Sequence, residues 1–230
     1  MPGLWPFSRK RAPQEPPERW AAHLLACTNG LDPDSLLQNV PAVVLDTETT
    51  GLRVRRDRIR SIGAIRIDYP ELRTDNFFTA QFSHDAGTDG GIAVHELLPR
   101  RGDSSPGRSL EELLTFIGPR IIVGHHIAFD AKMLENALSH HFHCPIALPN
   151  PLVDTAGLAQ RLFPRHPMQR PWSLDELCER LKVPTYERHT AGGDAFVTGL
   201  VYLKLLGRLS RESSLRLEDA LAHTRRHWRL

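Results

Sequence analysis

The stretch Val43–Leu52 places two carboxylates directly after a short apolar run. The run itself predicts a buried strand. Asp46 and Glu48 stand two positions apart, so an extended backbone would project both side chains from the same face. Two neighbouring anions in an apolar setting repel each other and are costly to desolvate unless a cation lies between them. The pair is therefore a candidate half of a divalent-metal site, or else an ordinary strand-end cap for the turn that follows.

Two later stretches offer residues that could complete such a site. In Val123–Asp130 an apolar strand turns at Gly124 into a helix whose first turn presents Asp130. In His189–Asp194 a histidine on the loop before a helix could swing over the site, while Asp194 points in from the helix. Taken alone, Asp130 could simply favour the positive end of its helix, and His189 could be an exposed loop residue.

Several other polar or aromatic residues are assigned structural roles. Asp154 stands where a helix N-cap belongs, so we place it outside the site. Trp172 is expected to anchor the helix that follows it. Four neighbouring residues could suggest a zinc site, but no second ligand pair stands at the required spacing, so we predict a polar surface here instead. They are His140, His141, His143 and Cys144.

The candidate residues suit metal-assisted phosphodiester hydrolysis. Hard oxygen ligands select Mg²⁺ or Mn²⁺. Two such ions roughly 4 Å apart can clamp the attacking and leaving oxygens of a phosphodiester. A histidine with a pKa near ~6.5 is suited to taking a proton from water near neutral pH.

The elements that must position these residues follow a recognisable order. Strands are predicted at 42–47, 59–67 and 76–82, then at 121–123 and 152–153, with helices between and after the last two. This order predicts an α/β fold, a mixed five-stranded sheet flanked by helices. We expect an N-terminal arm and short helical extension at 1–39, a catalytic domain at 40–210 and a basic helical tail at 211–230.

Composition sets broad limits on partners and compartment. The 230 residues include 29 Lys and Arg against 27 Asp and Glu, so net charge (29 − 27 = +2) identifies no partner. Three widely spaced cysteines favour free thiols in a reducing compartment. The N-terminus has no apolar core of a secretory signal, and no run approaches the ~18 apolar residues of a membrane span. We expect a cytoplasmic, soluble protein without a membrane partner.

A basic segment follows the first carboxylates. Arg53–Arg60 carries five arginines against one aspartate. Such a run beside a carboxylate cluster could hold a polyanion. It could equally be a solvated loop.

Taken together, the motifs resemble the DnaQ-like 3′–5′ exonucleases, a family with an Asp-Glu-Asp-Asp signature and a catalytic histidine (DEDDh). Asp46–Leu52 is similar to the first motif, Val123–Asp130 to the second, and His189–Asp194 followed by Ala195 to the third. The resemblance spans about residues 41–205. It implies a ribonuclease-H-like fold and hydrolysis of nucleic acid from the 3′ end, releasing nucleoside 5′-monophosphates.

The resemblance also assigns roles. It implies that Asp46, Glu48 and Asp194 are ligands of the metal that holds the water. Asp46 would bridge to a second metal, Asp130 would be an outer or water-mediated ligand of that metal, and His189 would be the general base.

Substrate contacts are implied in the same way. The floor under the terminal nucleotide would comprise Thr49, Thr50, Gly51 and Leu52. Glu48 could accept a hydrogen bond from the 3′-OH, and His126, where the family usually has Asn, could donate to the sugar or phosphate. This departure leaves the choice between deoxyribose and ribose open.

We therefore expect a 3′–5′ exonuclease that uses two Mg²⁺ or Mn²⁺ ions and acts on single-stranded ends, with DNA favoured and RNA possible. The alternatives are an exoribonuclease that trims RNA and a non-catalytic module that binds nucleic acid or a partner. Residues 1–39 are the expected docking segment for any protein partner.

Overall fold

A computed structural model describes residues 17–28, 30–82, 106–166 and 168–227 of the chain. The strands are β1 (Ala42–Thr49), β2 (Ile59–Asp68), β3 (Glu71–Gln81), β4 (Ile121–Gly124) and β5 (Leu152–Asp154). The α-helices are α1 (Glu18–Thr28), α2 (Pro106–Ile117), α3 (Ala128–Phe142), α4 (Thr155–Leu162), α5 (Leu174–Leu181), α6 (Ala191–Glu212) and α7 (Leu217–His227). A short 3₁₀ helix covers Leu37–Asn39.

The five strands form one mixed sheet in the order β3-β2-β1-β4-β5. The first three strands are an antiparallel meander, whereas β4 is parallel to β1 and β5 is parallel to β4. The predicted mixed five-stranded sheet flanked by helices is confirmed. Because β1, β4 and β5 run in the same direction, their carboxyl ends meet at one edge of the sheet.

Helices cover both faces of the sheet, and the alternation along β1 decides which side chain meets which layer. Val44 lies in the core beneath α6, whereas Val43 and Leu45 lie in the core beneath α2 and α3. Asp46 has the parity of Val44, so the end of β1 directs it toward the α6 side. The alternation of β1 thus places the Asp46 carboxylate on the same side of the sheet as α6, the helix that carries Asp194.

The flanking segments also contribute buried side chains. Trp20 of α1 is 5% exposed and joins the core beneath α2 and α3. Leu217 and Ala220 of α7 are buried in the core on the α6 side. The division into 1–39, 40–210 and 211–230 stays a prediction, and residues 1–16 and 228–230 lie outside the described ranges.

None of the helices described for this chain combines the length and the hydrophobicity that a membrane crossing requires.

Candidate active site

Three of the predicted carboxylates meet at the carboxyl edge of the sheet. One oxygen each from Asp46, Glu48 and Asp194 lie within 4.8 Å of one another. We call these three residues the carboxylate cluster. The first two project from the same face at the end of β1, and Asp194 comes from the first turn of α6. In the described residues this is the one group of three or more His, Cys, Asp or Glu with metal-binding spacing.

Gly63 allows α6 to approach the sheet closely enough to deliver Asp194. A Cβ atom at this position of β2 would lie 2.2 Å from the backbone oxygen of Ala191, the first residue of α6. Gly193, within the first turn of α6, makes room for the preceding loop instead, because its Cβ would lie 2.1 Å from the backbone oxygen of Glu187.

Asp130 lies beside the carboxylate cluster but does not belong to it. The carboxylate is buried at the start of α3, and its Oδ1 accepts hydrogen bonds from Thr47 N at 3.0 Å and Thr47 Oγ1 at 2.6 Å. Burial raises the pKa of Asp130 to about 7, although both bonds from Thr47 favour the charged form. Thr47 thus fixes the orientation of Asp130, a contribution that the sequence did not reveal.

The cluster carries an unfavourable concentration of negative charge. Burial raises the pKa of Asp46 well above its ordinary value, and the neighbouring charges of Asp130, Asp194 and Glu48 raise it further. The pKa of Glu48 is raised first by burial and then by Asp194. Carboxylates that repel one another in this way are stabilised by a cation.

Arg188 is the cation that the chain itself supplies. Its Nη1 donates to Asp194 Oδ1, while Nη2 and Nε donate to Asp175 Oδ1 at 2.7 and 3.0 Å. The Arg188 side chain is only 18% exposed. No local pattern in the sequence indicates this bridge, because Asp175 lies on α5 and becomes a neighbour only in the folded chain.

His189 lies on the loop directly before α6, as expected. It is exposed and has a left-handed backbone conformation with φ of 66°. A positive charge on His189 would favour ionisation of Glu48, since its interaction lowers the pKa of that carboxyl. The ring is therefore near the cluster and accessible from solvent.

His126 is held at the end of β4 by a neighbouring carboxylate. Its backbone N donates to Asp154 Oδ1 at 3.2 Å, and its own φ is 59°. The same Asp154 oxygen accepts from Ala156 N at 2.8 Å and caps α4, which confirms the structural role predicted for it. The ring of His126 packs against His125 with a centroid distance of 4.4 Å.

His125 is a buried partner rather than a second candidate base. Its Nδ1 lies 2.9 Å from Thr155 Oγ1. Burial, followed by the charge of His126, lowers the pKa of His125 to about 4. The imidazole is therefore neutral at physiological pH.

The predicted nucleotide floor leaves β1 as a hydrogen-bonded turn. Thr49 Oγ1 donates to the backbone oxygen of Gly51 at 2.8 Å, and Thr50 Oγ1 donates to Asp57 Oδ1 at 3.1 Å. Leu52 is 84% exposed beyond this turn. Its apolar side chain is thus presented to solvent four residues beyond Glu48 in the sequence.

The remaining candidates have structural surroundings. His141 Nε2 lies 3.1 Å from Glu111 Oε1 of α2. Trp172 is 9% exposed and donates from Nε1 to the backbone oxygen of Phe163 at 3.0 Å. Trp172 also shares a buried core with Leu177 of α5, the helix that it was predicted to anchor.

Comparisons with known proteins match most of the chain. A family model described as "Exonuclease" (RNase_T) matches residues 43–202. The DNA polymerase III subunit epsilon of Rickettsia conorii is 30% identical over 196 residues, covering 81% of this chain and 81% of that protein. The DNA polymerase III PolC-type of Thermotoga petrophila is 30% identical over 191 residues, covering 81% of this chain. The chain spans only 13% of the length of this PolC-type relative.

A solved structure with the same fold is E. coli Exonuclease I in complex with a dT13 oligonucleotide. The two chains superpose with a TM-score of 0.52 at 17% sequence identity, over 75% of this chain and 42% of the other. The fold is therefore ribonuclease-H-like, as the resemblance implied.

Proposed function

The chain belongs to the RNase_T exonuclease family, and from this premise we propose that it is a metal-dependent 3′–5′ exonuclease acting on single-stranded DNA ends. The predicted resemblance of the chain to DnaQ-like exonucleases is confirmed by the family match and by the epsilon-subunit relatives. The observation that carries the proposal is the carboxylate cluster, with oxygens from Asp46, Glu48 and Asp194 within 4.8 Å of one another. The expected products are nucleoside 5′-monophosphates.

The donor set fits divalent metal ions. The three carboxylates of the cluster repel one another, so a bound cation would stabilise them. Carboxylates are hard oxygen ligands, which favour Mg²⁺ or Mn²⁺. Asp46, Glu48 and Asp194 would hold one ion, and Asp46 together with Asp130 would hold a second. When bound, the two ions supply Lewis-acid activation of the attacking water and charge stabilisation at the scissile phosphate.

The protein side chains then supply proton transfer and orientation. His189 is assigned as the general base, because it is exposed on a loop next to Glu48 and can accept a proton from water. Thr47 holds Asp130 in one orientation with two hydrogen bonds to the same oxygen. Arg188 ties the start of α6 to α5 through Asp175 and so keeps the His189 loop in place.

The nucleotide floor supports a terminal nucleotide beside the cluster. The turn at Thr49, Thr50 and Gly51 is closed by its own hydrogen bonds, and Leu52 is exposed for packing against a base. We assign Glu48 as acceptor for the 3′-OH and His126 as a donor to the sugar or phosphate. The Exonuclease I relative was solved with a dT13 oligonucleotide, which supports a single DNA strand as substrate.

A ribonuclease that trims RNA 3′ ends is the second candidate. His126 stands where the family usually has Asn, and it lies at the end of β4 beside the site. A different donor at this position could change which sugar is accepted. A cytoplasmic location and a protein partner docking through residues 1–39 stay predictions of the sequence.

Parallel digestion of matched DNA and RNA oligonucleotides tests the proposal. Both carry the same base sequence and a 5′ label, and are incubated with Mg²⁺ or Mn²⁺. We expect stepwise shortening of the DNA and loss of activity in Asp46→Asn. Preferential shortening of RNA would support the second candidate, whereas full activity in Asp46→Asn would reject the site assignment.

A further inference from the structure

We propose that residues 53–60, which run from the loop between β1 and β2 into the start of β2, bind backbone phosphates of the single strand upstream of the 3′-terminal nucleotides. We call this segment the arginine loop. The inference rests on the proposed function, because it assigns the part of the substrate that extends beyond the nucleotide floor. It adds a second contact surface outside the carboxylate cluster.

The arginine loop is a concentrated patch of exposed positive charge. Its exposed residues are Arg53, Arg55, Arg56, Arg58 and Arg60. Within the ranges described above, none of them lies within 4.0 Å of an acidic side chain in an ion pair. Guanidinium groups match the geometry of phosphate oxygens. The patch thus has the chemistry of a polyanion-binding surface without a paired counterion from the described part of the chain.

The single acid of the arginine loop is directed inward. Asp57 Oδ2 accepts from Arg53 N at 2.7 Å, and its Oδ1 accepts from Thr50 Oγ1 at 3.1 Å. The Asp57 carboxylate therefore closes the turn instead of neutralising the arginine side chains. The guanidinium groups of the arginine loop therefore keep their positive charge without an ion pair to Asp57.

The arginine loop is held in place before any substrate arrives. The backbone N atoms of Arg56 and Asp57 both donate to Arg53 O at 2.8 Å. Asn136 Nδ2 of α3 donates to Val54 O at 3.0 Å, which ties the loop to the helix layer. A surface that is already ordered loses less conformational entropy when it binds. This distinguishes it from a freely solvated arginine-rich loop.

The arginine loop is continuous with the nucleotide floor. Thr50 N donates to Arg58 O at 2.9 Å, and Arg58 N donates back to Thr50 Oγ1 at 3.0 Å. Arg56, at the turn, is four residues beyond Leu52 and so lies at most about 14 Å from it, given ~3.5 Å per extended residue. Because the 3′ terminus ends on the floor, phosphates reached from this turn belong to upstream nucleotides.

The test compares substrates that differ in length. Arg55→Gln/Arg56→Gln removes two charges at the turn, and Lys182→Gln/Arg211→Gln removes two charges from exposed positions elsewhere. Arg211 lies 17 residues beyond Asp194 along α6, roughly 25 Å away at 1.5 Å per residue. Steady-state kinetics are measured on a 15-nucleotide and a 2-nucleotide oligodeoxythymidylate, and binding of the labelled 15-mer to metal-free protein is followed by fluorescence anisotropy.

We expect the loop variant to raise KM for the 15-mer by about tenfold while changing KM for the 2-mer by less than about twofold. Loss of two phosphate contacts should make the plot of log binding constant against log salt concentration less steep by about 1.4. Between 50 and 200 mM salt, wild-type affinity should then fall about sevenfold more than that of the variant.

Equal effects on both lengths, or an equal effect of the control variant, would overturn the proposal. So would an unchanged salt slope. If the wild-type protein hydrolysed neither oligomer, the proposed function would fail, and the anisotropy slopes would still decide whether the arginine loop binds the strand.

Discussion

Replacing Asp130 with Asn should stabilise the metal-free protein while impairing catalysis. The carboxylate is buried, and its Oδ1 accepts both hydrogen bonds from Thr47. An Asn side chain has nearly the same shape, and its carbonyl oxygen can accept the same two bonds. The substitution therefore removes the buried charge and leaves the local packing in place.

The size of the effect follows from the pKa of Asp130, which burial raises from an ordinary 3.8 to about 7. Between these values the native state binds more protons than the unfolded state, so the free energy of unfolding falls as pH rises through this window. At ~1.36 kcal/mol per pKa unit, the raised pKa lowers the free energy of unfolding by about 4 kcal/mol at pH 8. At pH 5 it lowers the free energy of unfolding by less than about 2 kcal/mol. Asp130→Asn should recover these amounts.

Urea denaturation in EDTA at pH 5 and pH 8 measures this difference. Asp68→Asn, at an exposed position of β2, serves as control and should change stability by no more than about 0.5 kcal/mol. With Mn²⁺ added, the Asp130→Asn variant should gain less stability than the wild type. A variant that is less stable than wild type at pH 8, or one whose gain does not depend on pH, would refute the reasoning.

Three further predictions concern the base, the internal cation and the approach of α6. His189→Ala should lower kcat by roughly 10², the usual size of a general-base effect, and leave Mn²⁺ binding by calorimetry within about twofold; unchanged kcat would remove the assigned role. Arg188→Gln should tighten Mn²⁺ binding to metal-free protein at pH 8 by about fivefold, since an ion pair of about 1 kcal/mol no longer competes for the carboxylate cluster; weaker binding would contradict this. Gly63→Ala should cost at least about 2 kcal/mol of unfolding free energy, because its Cβ would lie 2.2 Å from Ala191 O. Its control, Gly207→Ala, has open space apart from Tyr69 Oη at 3.4 Å and should be neutral or stabilising in thermal denaturation; equal effects would show that the close approach is unimportant.

Local patterns in the sequence were sufficient for the sheet and for the carboxylates that strands present. The common face of Asp46 and Glu48 follows from strand geometry alone, and the Ser-x-x-Glu spacing of Ser173 and Glu176 indicates the capping box that opens α5. Helix boundaries were less predictable. Ser109 followed by two glutamates is a pattern typical of a helix N-cap, but α2 begins at Pro106, because proline has no N–H to satisfy and suits the first helical position.

Contacts between distant segments could not be derived from local patterns. Strand alternation directs Thr47 to the opposite face of β1 from Asp46 and Glu48. On that face its hydroxyl meets Asp130 in the first turn of α3. Arg188 bridges two helices, and Gly63 matters only because a helix from much later in the chain packs on it. Each depends on tertiary packing, which a single sequence without contacts does not specify.

The direction and products of hydrolysis test the central claim most directly. A 20-nucleotide DNA strand labelled at its 5′ end is incubated with the protein and Mg²⁺ or Mn²⁺, with Asp194→Asn in parallel, and the small products are identified by mass spectrometry. We predict a ladder that shortens one nucleotide at a time from the 3′ end, nucleoside 5′-monophosphates as products, and no reaction in the variant. Release of the 5′-labelled nucleotide first, internal cleavage, or undiminished activity of the variant would contradict it.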